Sequence, residues 1–134
     1  MKSWSKSGFG YALNTDKNKI YAFLQKRNLI KEDFEREDME KDGFNPEWDF
    51  VEEGSTEEAI AGAINEETGY TCFEGYQSTE DTDPHIGYSP EYPWFMIGKD
   101  HRAKITDIEK ILKQYGEELG ITEEPNYFTI EYYG

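Results

Sequence analysis

The segment GSTEEAIAGAINEETGY, residues 54–70, has the pattern of a complete helix with a defined start and end. Ser55 followed three residues later by Glu58 forms a capping box, in which the serine hydroxyl accepts from a free backbone N–H of the first turn. Small and aliphatic residues recur at helical spacing and supply a buried face: Ala59, Ile60, Ala63 and Ile64. Gly69 suits the left-handed residue that ends many helices. We therefore predict a helix that follows Ser55 and runs to about Glu67.

Segments rich in aromatic and β-branched residues lie on both sides of this helix and predict strands. They are Gly8–Leu13 before the helix, and Tyr70–Tyr76, His85–Tyr88 and Asn126–Tyr133 after it. In the first segment Phe9, Tyr11 and Leu13 alternate with other residues, which places them on one face of a strand. His85–Tyr88 follows a polar loop, and we expect it to pair back on the preceding strand.

Apolar residues at helical spacing predict three more helices. These are Lys17–Leu29, Lys31–Lys41, and a last helix that begins near Thr106 and ends at Gly116 or Gly120. Helices and strands are grouped along the chain and do not alternate strictly. This order predicts an α+β fold: a small, largely antiparallel sheet with three to four helices against one face, in a single domain of residues 1–134.

Residues 30–58, the acidic stretch, carry the clearest functional signal. Thirteen of these residues are acidic and only three are basic, and the whole chain has a formal net charge of −15. The stretch also contains Phe34, Phe44, Trp48 and Phe50, so it does not have the composition of a disordered acidic tail. Such a charge repels nucleic acid and anionic membranes and attracts cationic protein surfaces. A plain solubility coat is the other interpretation.

The segment Lys31–Lys41 favours an exposed acidic helix. Glu32–Arg36 and Glu37–Lys41 are favourable pairs at i,i+4, and the apolar stripe is thin. A helix rises about 1.5 Å per residue, and duplex DNA carries one charge per about 1.7 Å of axis. The acidic helix could therefore imitate a row of phosphates and occupy a nucleic-acid-binding partner. The predicted partner-binding residues are Glu32, Asp33, Glu35, Glu37, Asp38, Glu40 and Asp42, with Trp48 and Tyr92 as aromatic contacts.

A second hypothesis is a metal-dependent protein that binds or hydrolyses nucleotides. The helix of residues 54–70 superficially resembles the Nudix hydrolase box, in which carboxylates hold magnesium against a diphosphate. Glu66, Glu67 and Gly69 match the end of that motif, but Gly62 and Ala63 stand where it needs Arg and Glu. Asp81 and Asp83, just before His85, are weak candidates for a metal site, since hard divalent ions prefer oxygen ligands. An ordinary capped helix and a solvated turn account for the same residues.

Other features restrict the function and location. Cys72 is the only cysteine, so the chain can form no intrachain disulfide or cysteine-cluster zinc site, which fits a reducing cytoplasm. The N-terminus lacks the pattern of a signal peptide, and no run is long enough to span a membrane. No nucleophile motif or phosphate-binding glycine loop is present. We therefore predict a cytoplasmic protein that is not an enzyme, needs no cofactor and binds neither nucleic acid nor membrane directly.

Five segments carry a resemblance to other proteins, one of which is the predicted helix that follows Thr106. SGFGYAL near the N-terminus, EEAIAGAINEETGY, IGYSPEYPWFM and the closing NYFTIEYYG resemble an uncharacterised group of small acidic proteins from Gram-positive bacteria, their phages and mobile elements. The most specific piece is Tyr92-Pro93-Trp94 ahead of a capped helix. The resemblance implies a phage or mobile-element context. In that context, inhibitors of host defence nucleases such as anti-CRISPR proteins are expected.

Overall fold

The computed structural model describes the backbone of residues 3–89 and 99–133, and the side chains of residues 3–89 and 105–133. Within these ranges the chain forms β1 (Ser3–Ala12), α1 (Lys17–Lys26), α2 (Thr56–Thr68), β2 (Phe73–Tyr76), β3 (His85–Tyr88), α3 (Lys99–Leu119) and β4 (Asn126–Tyr133). The strands form one sheet in the order β2-β3-β1-β4, and every neighbouring pair is antiparallel. The predicted α+β class with a small antiparallel sheet is confirmed. None of the described helices is long and apolar enough to cross a membrane.

Helix α2 begins and ends as its sequence predicts. The Ser55 side chain accepts from the backbone N–H of Glu58 at 3.3 Å, and Gly69 closes the helix with a φ of 81°. Only a residue without a Cβ adopts that left-handed conformation at little cost. Ile60 and Ile64 are fully buried, which confirms the predicted apolar face.

Strand β1 is longer than predicted and organises the sheet. Its first six residues pair with β4 alone, the next two pair with β4 on one side and β3 on the other, and its last two pair with β3 alone. Phe9, Tyr11 and Leu13 are buried, as their alternation predicts. Tyr11 donates to the carbonyl of Leu112 at 2.7 Å, which ties α3 to the same face of the sheet.

The opposite face of the sheet carries a smaller aromatic cluster. Tyr76 is buried, and its ring lies 4.9 Å from that of Phe128. A Cβ at Gly87 would come within 2.8 Å of the Phe128 ring, so glycine at this position makes room for it. The Tyr76 hydroxyl donates to the carbonyl of Ser7 at 3.2 Å. These contacts hold the β1–β4 pair against the rest of the sheet.

The prediction of a helix at Lys31–Lys41 is wrong. Only Arg36–Glu40 is helical, as a short 3-10 helix, and Asp33 has a φ of 65°, which an α-helix does not allow. The backbone N–H of Lys31 donates to the carbonyl of Phe50 at 2.8 Å, and the Phe34 ring turns towards Phe50. Tertiary packing of the aromatic rings therefore outweighs the helical propensity of the charged residues.

The predicted start of the last helix is also wrong. Helix α3 begins at Lys99, well before Thr106, and ends at Leu119 with Gly120 in the left-handed conformation. The predicted start relied on Thr106 and Glu109, but a Thr-x-x-Glu pattern can occur inside a helix as well as at its start. Ile108 and Leu112 of this helix are fully buried. Strand β2 begins at Phe73, later than the predicted Tyr70.

Candidate acidic binding site

An aromatic cluster anchors the acidic stretch to the body of the protein. The Phe50 ring is fully buried and lies 5.0 Å from Phe44 and 5.5 Å from Phe34. Tyr21 of α1 packs against Phe34 at 5.9 Å and against Phe50 at 6.1 Å. Residues 31–50 therefore form an irregular but packed segment that sits on α1.

A lysine of α1 holds the far end of the same segment. The Lys17 ammonium donates to the carbonyl of Met39 at 2.8 Å and forms an ion pair with Glu40 at 3.6 Å. Met39 itself is buried. The 3-10 helix is thus fixed by one apolar side chain and one cation, while most of its carboxylates face solvent.

This packing creates a cleft of about 520 Å³ in the surface of the acidic stretch. Phe34, Gly43 and Phe44 contribute apolar and backbone surface to it. Its charged lining comprises Glu32, Asp33, Asp38, Asp42, Asp49 and Glu52, with Lys31 and Lys41. The lining has six acidic residues and two basic ones, so the cleft is strongly negative and has aromatic surface inside it. We call it the acidic cleft.

Two of the cleft carboxylates are structural. Asp38 accepts from the backbone N–H of Glu35 at 2.9 Å and forms an ion pair with Lys41 at 2.5 Å. Both contacts lower the pKa of Asp38, and the contact with Lys41 has the larger effect. Asp49 accepts from the backbone N–H of Asn45 at 2.8 Å. These two side chains maintain the shape of the segment and are less able to engage a ligand.

The other cleft carboxylates are available to a ligand. They are exposed and make no hydrogen bond or ion pair with any residue that the structure describes: Glu32, Asp33, Asp42 and Glu52. Exposed carboxylates can bind an ammonium or guanidinium group through charge and hydrogen bonds, and the neighbouring aromatic rings can add a cation–π contact. This is the chemistry that the arrangement supports.

The structure separates the predicted partner-binding residues into groups. Glu32, Asp33, Asp38 and Asp42 line the acidic cleft. The remaining acids lie beside it on or next to the 3-10 helix and are exposed: Glu35, Glu37 and Glu40. Trp48 is 39% exposed but does not line the cleft. Tyr92 lies outside the described residues.

The residues of the metal-site hypothesis do not come together. Asp81 and Asp83 are both exposed in the loop between β2 and β3. Among the described residues, no group of three His, Cys, Asp or Glu side chains could hold a metal ion. The carboxylate of Glu67 already binds the Arg27 guanidinium at 2.6 Å and accepts from the Tyr115 hydroxyl at 3.0 Å. Its position indicates a structural ion pair.

Glu57 is one of the thirteen acids of the acidic stretch, but its environment differs from that of the other acids. Its side chain is fully buried. Neither carboxylate oxygen makes a well-formed hydrogen bond to a described residue. Burial raises its pKa to about 7, although its own N–H and the Ser55 hydroxyl lie close enough to oppose part of the shift. Its spacing from Ile60 and Ile64 on one helical face would have indicated burial.

Among known proteins, no protein-family model matches the chain, and no curated protein and no solved structure is similar enough to count as a match. The features that point to a function are the acidic cleft, its neighbouring carboxylates and the aromatic cluster that holds them.

Proposed function

We propose that the protein is a non-enzymatic binding protein whose acidic cleft engages a cationic surface on another protein. The observation that carries this proposal is the cleft itself, where exposed carboxylates surround the half-buried rings of Phe34 and Phe44. A net charge of −15 adds long-range attraction for a cationic partner and increases the rate of encounter.

An arginine or lysine side chain of the partner is the group that fits the cleft best. Its aliphatic part can cover the phenyl rings while its charge meets Asp33 and Asp42. The chain's own Lys31 illustrates the contact, because its ammonium lies 5.9 Å from the centre of the Phe34 ring. Arginine is favoured over lysine, since a planar guanidinium can stack on a ring and bind a carboxylate through two hydrogen bonds.

We further propose that the partner is a nucleic-acid-binding protein or nuclease of the same cytoplasm, and that binding competes with its nucleic acid. A protein surface that binds phosphates also attracts closely spaced carboxylates. The carboxylates of residues 31–53 lie on an irregular surface, so this competition depends on local charge density and not on a regular helical row. An inhibitor of a defence nuclease, such as an anti-CRISPR protein, is the role that this activity and the resemblance together favour.

A charge-matched pair of variants tests the use of the cleft. The triple variant Glu32→Gln, Asp33→Asn, Asp42→Asn removes three exposed cleft charges, and Asn tolerates the left-handed backbone of Asp33. The control Glu66→Gln, Glu74→Gln, Asp81→Asn removes three exposed charges elsewhere. Calorimetric titration with an octa-arginine peptide should give affinity about tenfold weaker for the cleft variant and nearly unchanged for the control.

The second arm tests the competition. A cationic DNA-binding domain is loaded with labelled duplex, and the wild-type protein should displace the duplex while the cleft variant displaces it poorly. Equal loss of binding in the cleft variant and in the control would show that the charge acts only as a general coat. Peptide binding without displacement of the duplex would limit the proposal to cation recognition.

A further inference from the structure

The buried Glu57 lies where three parts of the fold meet. It is the second residue of α2, and its side chain is fully buried. The helix backbone at this point rests directly on β2, because a Cβ at Gly75 would lie 2.4 Å from the carbonyl carbon of Glu57. The loop before α2 lies close on another side, because the backbone N–H of the adjacent Thr56 donates to the carbonyl of Glu47.

Hydrogen bonds around Glu57 tie the acidic stretch to the helix and the sheet. The backbone N–H of Thr56 donates to the carbonyl of Glu47 at 2.7 Å, and its hydroxyl donates to the carbonyl of Pro46 at 2.5 Å. The Glu47 carboxylate accepts from the backbone N–H of Ser78 at 3.1 Å and from its hydroxyl at 2.8 Å. The Tyr132 hydroxyl donates to the carbonyl of Gln77 at 3.0 Å. We call this set of contacts the joint.

The charges at the joint disfavour an ionised Glu57. Its charged neighbours among the described side chains are Glu47 of the preceding loop and Glu58 of its own helix, and both are negative. Tyr132 of β4 belongs to the joint through its hydrogen bond to Gln77, and burial of its hydroxyl raises its pKa, so it stays neutral. A buried carboxylate that lacks both a cation and good hydrogen bonds is strongly disfavoured, whereas the neutral acid is tolerated.

We propose that Glu57 is a proton-operated switch that holds the acidic stretch against the sheet when neutral and loosens the joint when ionised. An ionised carboxylate needs water, and separation of residues 45–47 from the start of α2 would let water reach it. Residues 45–53 carry Trp48 and continue into the lining of the acidic cleft. The switch rests on the packing of Glu57 alone and is independent of the function proposed for the cleft.

Hydrogen exchange measured by mass spectrometry tests this switch in the intact protein. After correction for the intrinsic rate, protection of the peptide covering residues 45–58 should fall roughly tenfold between about pH 6 and about pH 8. This factor follows from a pKa near 7 in the closed joint and an ordinary value in the open one. A peptide from residues 105–119 of α3 serves as the internal reference and should change much less.

Two isosteric variants separate Glu57 from the general charge of the protein. Glu57→Gln should remove the pH dependence at residues 45–58, whereas Glu58→Gln, an exposed acid in the same turn, should retain it. If Glu57→Gln folds poorly, infrared spectroscopy of the wild type still decides, because a neutral buried carboxyl gives a C=O band that disappears on ionisation near pH 7. Protection independent of pH in the wild type, the same fall in Glu57→Gln, or absence of that band at pH 6 would each overturn the proposal.

Discussion

At the scale of single residues, Arg27 joins three helices through one guanidinium. It follows α1, lies 3.6 Å above the Phe23 ring, and binds Glu67 of α2 at 2.6 Å and Glu118 of α3 at 2.8 Å. Only 12% of its side chain is exposed. The Tyr115 hydroxyl completes the group by donating to Glu67, and the pKa of Tyr115 is raised to about 12, mainly by burial.

Replacement of Arg27 with Gln should lower the free energy of unfolding by about 2–4 kcal/mol, because two partly buried carboxylates lose their cation. Urea unfolding at neutral pH measures this change. Lys26→Gln is the matched control, since Lys26 also pairs with Glu118 but its side chain is 71% exposed. The control should lose less than about 1 kcal/mol. An equal loss in both variants would mean that the Arg27 contacts add nothing beyond surface charge.

The same ion pairs should make the stability of the fold decrease at acid pH. Arg27 lowers the pKa of Glu67 and of Glu118 below their ordinary value of 4.5. The folded protein therefore binds fewer protons than the unfolded chain at low pH. The stabilisation is present above pH 4.5 and is lost as the pH falls through the lowered pKa values. Thermal melts from about pH 6 to about pH 3 should show a weaker acid dependence in Arg27→Gln than in Lys26→Gln.

At the scale of elements, the acidic stretch shows how a few rings decide the conformation of a charged segment. Its local sequence favours a helix, but burial of each aromatic side chain removes roughly 150–250 Å² from water, far more than exposed i,i+4 pairs can offset. The Phe34, Phe44 and Phe50 rings therefore meet, and the backbone between them becomes irregular. The carboxylates consequently face the cleft and the solvent in several directions.

The contact between α2 and β2 gives a prediction with an internal control. Gly75→Ala should destabilise the protein by about 1–3 kcal/mol, because its Cβ would overlap the backbone of Glu57. Gly62→Ala, on the exposed side of α2, meets nothing within 4 Å and should stabilise by up to about 1 kcal/mol. Chemical denaturation of both variants measures the two changes. Equal effects would show that the close approach at Gly75 is not rigid.

At the scale of the whole molecule, the distribution of charge matters more than its total. The acids of α2 and α3 that contact Arg27 are neutralised locally, and Glu57 is buried. The exposed carboxylates of residues 31–53 remain as a negative face beside an aromatic cleft. Screening by salt therefore acts on this face and on the other exposed acids, while the buried contacts of the fold are affected little.

Association with a cationic protein should slow steeply as salt increases. The screening length falls from about 30 Å at 0.01 M to about 10 Å at 0.1 M, which removes long-range steering first. Surface-based kinetics at several salt concentrations should show a large change in the association rate and a smaller change in dissociation. The cleft variant should show a flatter salt dependence than the charge-matched control. An association rate that is independent of salt in the wild type would contradict the proposed function.

Short-range chemistry in the sequence was enough to determine α2, β3 and β4. The capping hydrogen bond from Glu58 to Ser55, the left-handed Gly69 and the alternation in Asn126–Tyr133 each involve residues close in the chain, so a sequence pattern captures them. The same patterns predicted the α+β class and the buried face of β1. They also identified an acidic surface anchored by aromatics.

Only the tertiary structure decided which acids form that surface. Packing of the aromatic cluster produces a cleft where the sequence predicts a helix. Glu67 forms an ion pair with Arg27, and packing against β2 buries Glu57. Each outcome depends on residues distant in sequence that meet after folding, and burial then sets whether a carboxylate is charged, paired or neutral. The sequence alone does not distinguish one carboxylate from another, because their different properties come from their surroundings in the fold.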